Sequence, residues 1–166
     1  MSSLPPPAWL PPLQTLTGEL QQDLATLHGI FSADFTHSRP GFLGMPVEWR
    51  QTLVSGTIYE DAFWHIVTRD SPQAGVRVFD RLRAERLPWC AAVLRNATDQ
   101  AVKVWDFRKT RRIVRTYAWL EHHDYVVVLE KRMIKTRPSA FLITAYHVDG
   151  TRSRNQLQRT FDERIR

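Results

Sequence analysis

The period of the hydrophobic pattern changes along this chain from three-to-four to two and back again, and that change does most to limit its fold. Leu20, Leu24, Leu27, Phe31 and Phe35 recur at spacings of three and four. Such spacing lays one apolar stripe along an amphipathic helix. From residue 89 the period is two, and segments 89–94, 101–107, 113–120, 125–131 and 140–148 read as strands. The turn-like residues 96–100 join the first two as a hairpin, and residues 121–124 turn between the third and fourth. After Asp149-Gly150-Thr151, Leu157, Phe161 and Ile165 fall at i, i+4 and i+8, one face of a closing helix. Helices first, then antiparallel strands, then a helix predict an α+β fold. Its expected parts are N-terminal helices, an antiparallel four- to five-stranded sheet and a C-terminal helix packed on one sheet face.

The remaining segments are less regular. Residues 37–58 read as a long connection. Residues 60–68 open with Glu60-Asp61, which suits a helix start, and end β-branched. They predict a helical turn running into an extended piece. Residues 76–86 predict a short basic helix carrying Arg77, Arg81, Arg83 and Arg86, stopped by Pro88.

Residues 1–12 read as a Pro-rich arm, and 13–166 as a single α+β domain. The first fourteen residues have no basic stretch, and five prolines break their apolar content, so they do not fit a signal peptide. No apolar run, residues 125–129 included, approaches the roughly 20 residues a membrane span needs. One cysteine, Cys90, leaves no internal disulfide to form. These features lead us to expect a cytoplasmic protein without membrane contact. Lys plus Arg is 23 against 17 for Asp plus Glu, a net charge of +6. Most of these cations are arginines, whose planar fork matches phosphate geometry. The expected partner is a polyanion, RNA above all.

Several chemistries lack their motifs. There is no CxxC, HExxH or calcium loop, no Walker loop or GxGxxG, and no GxSxG. His122 and His123 are adjacent and in a strand or turn would point apart, which makes them a poor chelating pair. Neither a metal nor a cofactor is therefore expected, and Cys90, inside an apolar run, reads as a small buried hydrophobe. What remains is a set of His, Arg, Thr and Tyr residues suited to metal-independent cleavage of RNA. The 2′-hydroxyl must lose a proton, the 5′-oxygen must gain one, and the phosphorane needs stabilising charge.

His65 is the candidate acid or base, although a histidine between Trp64 and Ile66 reads equally as a core residue. Arg83 and Arg86, three apart on one helix face, and Arg77 are candidates for the phosphate. On strand 140–148, Thr144 and Tyr146 are expected on one face, available to ligand, with Phe141, Ile143 and Ala145 on the other. Trp89, Trp105 and Trp119 are candidate base-stacking platforms, although large aromatics are mostly core residues. Arg108, Arg111 and Arg112 crowd a hairpin tip, where phosphate contact is expected.

Five separated motifs carry a resemblance: Phe63-Trp64-His65, Arg83-x-x-Arg86-x-x-Trp89, Val104-Trp105, residues 124–129 (DYVVVL) and Thr144-Ala145-Tyr146. Over residues 30 to 163 the chain resembles small phage- and prophage-associated bacterial proteins. Those are similar to the barnase, EndoU, colicin D and RelE-like (BECR) nuclease superfamily. The resemblance implies a ribonuclease, often a toxin, that works without metal on the exposed face of its sheet. It implies catalytic roles for His65, Arg86, Thr144 and Tyr146. If the chain is a toxin, a cognate inhibitor or antitoxin is expected, acidic to complement the basic face. The closing helix departs from the pattern, reading Gln156-Leu157-Gln158-Arg159 where such relatives carry lysines. Two alternatives stay open: a non-catalytic nucleic-acid-binding module, and a phage accessory protein whose proline arm docks a partner.

Overall fold

The computed structural model describes residues 4–73 and 75–166. Helix α1 (Leu20–Phe31) runs on into a π-helical stretch, Ser32–His37. The predicted stripe is its buried side from Leu24 through Leu27 and Phe31 to Phe35. Burying side chains of this size contributes about 1.5–3 kcal/mol each.

Residues 37–58, predicted as a connection, hold two short strands, β1 (Gly41–Phe42) and β2 (Met45–Trp49). Helix α2 (Asp61–Val67) leads directly into β3 (Thr68–Asp70), as the acidic start and β-branched end suggest. Strand β3 pairs with β4 (Arg77–Phe79) as a small separate ribbon. Only the second half of the predicted basic helix is helical, as α3 (Arg81–Glu85). Asp80 divides the segment, because its carboxylate accepts from the Arg83 N–H at 3.0 Å and caps the helix there.

Segment 89–94 is not a strand. It lies in helix α4 (Leu87–Arg95), whose residues from Trp89 to Leu94 are all buried. A run that is apolar on every side has no period to read, and Pro88 in its first turn opens this helix rather than ending α3. The predicted hairpin over residues 89–107 therefore does not exist.

Strands β5 (Val102–Arg108), β6 (Val114–Leu120), β7 (Tyr125–Ile134) and β8 (Arg137–His147) form an antiparallel meander, and α5 (Gly150–Asp162) closes the chain. The sheet has six strands in the order β1-β2-β8-β7-β6-β5. It is mixed rather than antiparallel, because β2 joins β8 in parallel with Val47 opposite Ala140. Five residues containing Pro46 show too little alternation to announce a strand.

Helices cover one face of the sheet and part of the other. Helices α1, α2 and α4 pack on one, with Tyr125, Val127, Leu129, Leu142 and Ala145 beneath them. Helix α5 covers part of the other, where Leu157 and Phe161 meet Trp105, Trp119, Val126 and Val128. Ile165, predicted on the same helix face, lies beyond α5 and is exposed.

A β-bulge in β8 decides which residues share a face. Val128 pairs with Thr144, yet Leu129 pairs with Leu142, so Ile143 is the extra residue. A bulge resets the alternation. Phe141 and Ile143 therefore lie on the face of Thr144 and Tyr146, not opposite them, and only Ala145 points the other way as expected.

The segment predicted as a Pro-rich arm lies against the domain. Trp9 donates its indole N–H to Asp99 at 3.0 Å, and the Trp89 indole donates to the Pro11 carbonyl at 2.8 Å. The Gln14 N–H continues the attachment to the Glu85 carbonyl. Residues 1–3 of that segment lie outside the described residues. Among the described residues no helix is long and apolar enough to cross a membrane.

Candidate functional site

The part of the sheet face that α5 leaves uncovered forms the floor of a basin of about 440 Å³. Strand β8 supplies Phe141, Ile143, Thr144 and Tyr146. Strands β6 and β7 supply Arg115 and Arg132. The α2–β3–β4–α3 segment walls one side with His65, Arg77 and Arg83. Five arginines, with Arg50 the fifth, line the basin against two carboxylates, Asp61 and Asp70. Two of these arginines, Arg115 and Arg132, share one acid, Glu130. The basin is thus an electropositive concavity, the setting in which a phosphate is held most strongly.

Thr68 organises the cationic wall, and nothing in the sequence announces it. Fully buried where α2 becomes β3, it donates its hydroxyl to the Trp64 carbonyl at 2.5 Å. That hydroxyl also accepts from Arg77 Nε at 2.9 Å. The Thr68 carbonyl accepts from Arg77 Nη2 and from Arg83 Nη1, each at 2.8 Å. Two guanidinium groups are therefore anchored on one residue. Arg77 is paired further with Asp70 at 2.7 Å, and Arg83 with Asp80 at 3.7 Å.

His65 stands beside these arginines with its side chain 36% exposed. Burial, and next the charge of Arg77, hold its pKa below the usual 6.5, with Asp61 opposing them from 3.8 Å. Its imidazole is consequently neutral at neutral pH and able to take a proton. Tyr146 is the complement: burial, reinforced by neighbouring Tyr117, pushes its phenol up to about 12. It keeps its proton and serves as a donor. Arg83 joins the two, donating to the His65 carbonyl at 3.3 Å and lying over the Tyr146 ring.

The structure brings together His65, Arg77, Arg83, Thr144 and Tyr146 from the residues singled out in sequence. Arg86 is not among the lining residues. Its guanidinium donates to the Leu82 carbonyl at 2.8 Å and stacks over Trp89. The short break between α3 and α4 carries it off the face that Arg83 uses. Trp89 is buried at 7% exposure with its indole N–H committed to Pro11, so it offers no ring to a base. Trp105 and Trp119 are likewise core residues. Arg108, Arg111 and Arg112 stand exposed at the β5–β6 tip, outside the basin. Sequence reasoning missed Arg50, just past the end of β2, and Arg115 and Arg132, on β6 and β7, which come from separate stretches of chain and gave no local signal.

The chain matches no known protein family, no curated protein and no solved structure.

Proposed function

We propose that this protein is a metal-independent endoribonuclease of toxin type acting at the basin. The observation that carries the proposal is the convergence of His65, Arg77, Arg83, Thr144 and Tyr146 on one concave surface. In this reading neutral His65 removes the proton of the 2′-hydroxyl. The 2′-oxygen attacks phosphorus, the bond to the 5′-oxygen breaks, and a 2′,3′-cyclic phosphate is left. Arg77 and Arg83 hold the phosphate and the charge that develops on it. Thr144 donates to a non-bridging oxygen, and Tyr146 supplies its proton to the departing 5′-oxygen. Arg86 has no place in this chemistry. The excess of arginine over carboxylate also suits an acidic protein inhibitor, whose carboxylates would occupy the phosphate positions.

The test is incubation with total RNA in EDTA beside His65→Ala. Fragments ending in 2′,3′-cyclic phosphate, missing with the variant, are the expected result. Equal cleavage by the variant would remove His65 from the mechanism and sink the assignment. The exposed cations at the β5–β6 tip favour one rival reading, a nucleic-acid-binding module without catalysis. That reading expects RNA shifted on a native gel at low salt with no product over time.

A further inference from the structure

A second cavity, of about 490 Å³, adjoins the basin. The two share Arg83 and Tyr146 as lining residues, so they meet at that pair. Each volume lies within the range of small-molecule sites, roughly 300–1,000 Å³. Their linings differ in kind. The first has five arginines against two carboxylates; the second has Arg69, Arg81 and Arg83 against Asp80 and Asp149. In both cavities cations are paired with acids, Arg77, Arg83, Arg115 and Arg132 of the basin with Asp70, Asp80 and Glu130, but the second has fewer arginines and a smaller excess of them over its acids. Arg81 is bound to Glu85 at 2.7 Å, and Asp80 lies between Arg69 at 3.5 Å and Arg83 at 3.7 Å.

What the second cavity offers instead is the half-buried Phe79 ring, the His147 imidazole, and the exposed Asp149 carboxylate and Ser153 hydroxyl. An aromatic face with separate hydrogen-bonding groups suits a nucleobase and ribose better than a phosphate. His147 precedes the α5 cap and directly follows Tyr146. The chain thus passes from the shared boundary into the second cavity within one residue.

We infer that the two cavities form one two-nucleotide site. The nucleotide bearing the attacking 2′-hydroxyl lies in the basin beside His65. The scissile phosphate lies at the Arg83–Tyr146 boundary, and the leaving nucleotide lies in the second cavity. This arrangement rests on the ribonuclease reading, and it makes a nucleotide on the leaving side part of what the site recognises. It also places the Tyr146 phenol where the 5′-oxygen departs.

Ser153→Trp tests the inference, because it fills the second cavity, where Ser153 is one of the groups offered to the leaving nucleotide, from an exposed position on α5 and lies outside the basin that holds His65. The first readout is calorimetric binding of a non-cleavable 2′-deoxyribodinucleotide and of the corresponding 3′-mononucleotide. Wild type is expected to bind the dinucleotide at least about ten-fold more tightly, the advantage that stacking of one base supplies. In Ser153→Trp that advantage disappears while mononucleotide affinity is unchanged. Equal affinities in wild type, or equal weakening of both ligands in the variant, overturn the inference.

The second readout is cleavage of a short RNA and of uridine 3′-(4-nitrophenyl phosphate), whose leaving group needs no nucleotide cavity. Ser153→Trp should slow the RNA by at least about ten-fold and leave the ester alone. A wild-type protein that cleaves neither substrate refutes the ribonuclease reading, and the binding comparison still decides the two-nucleotide site.

Discussion

The guanidinium carbon of Arg83 lies 5.3 Å from the centre of the Tyr146 ring. That contact couples the α3 wall of the basin to its floor on β8. It places a fixed positive charge beside a phenol that burial keeps protonated. Tyr146→Phe keeps the ring and the cation–π contact and deletes only the O–H. We expect it to lower kcat by about 10²–10⁴-fold, the range for one positioned acid, with RNA affinity nearly intact. Single-turnover cleavage beside a binding titration separates the two effects, and a variant with full kcat would remove Tyr146 as proton donor.

Arg83→Lys retains the charge but loses the planar guanidinium, whose Nη1 donates to both the His65 and Thr68 carbonyls and which lies over the Tyr146 ring. Its expected signature is a fall in kcat/KM of about 10-fold or more, at least 1.4 kcal/mol of transition-state stabilisation. The unfolding midpoint should change little. Activity equal to wild type would show that charge alone suffices at this position.

His65 gives the pH dependence its sign. Its pKa is lowered in the fold by burial and by Arg77, and that of His147 is lowered by burial and by Arg86. Each then binds a proton more readily in the unfolded chain. Their contribution to stability is complete above the unfolded value of 6.5 and is lost as pH falls below it toward the folded values. Denaturant melts between neutral and mildly acidic pH should show this loss, reduced in His65→Gln and His147→Gln. If His65 is the base, the acid limb of kcat/KM also falls below 6.5. A limb above that value would contradict a depressed histidine.

Thr68→Val preserves shape and removes the hydroxyl that accepts from Arg77 Nε and donates to Trp64. Leaving a buried donor unpaired costs about 1–3 kcal/mol. Urea unfolding should register that loss, and KM for RNA should rise as Arg77 loses its aim. Chemistry at His65 and Tyr146 should persist. An unaltered KM would mean that Asp70 and the Thr68 carbonyl position Arg77 without help.

At the β5–β6 tip, replacing Arg111 and Arg112 with alanine should act on affinity and not on kcat. Each lost phosphate contact flattens the salt dependence of single-stranded RNA binding by about 0.7 in log–log slope. Titrations at several salt concentrations give the slope directly, and an unchanged slope would place the tip outside the RNA path.

The parts of this protein legible in sequence are those set by neighbours along the chain. The stripe from Leu24 to Phe35, the α2-to-β3 transition, the four meander strands and the closing helix follow from local periodicity and charge. His65, Arg83, Thr144 and Tyr146 stood out as the residue types that phosphodiester chemistry requires. Tertiary structure decided the rest. The apolar run 89–94 is a helix because it is buried on every side, a condition with no periodic trace. β2 is a strand because β8 offers it an edge about ninety residues away in the chain, as the pairing of Val47 with Ala140 shows. The bulge at Ile143, invisible to a rule of alternation, puts Phe141 beside Thr144 and Tyr146. Arg115 and Arg132 enter the basin, and Arg86 leaves it, through the same kind of long-range geometry. A sequence pattern records which side of an element is buried; which elements then converge on one concave surface depends on contacts between residues that no local window contains.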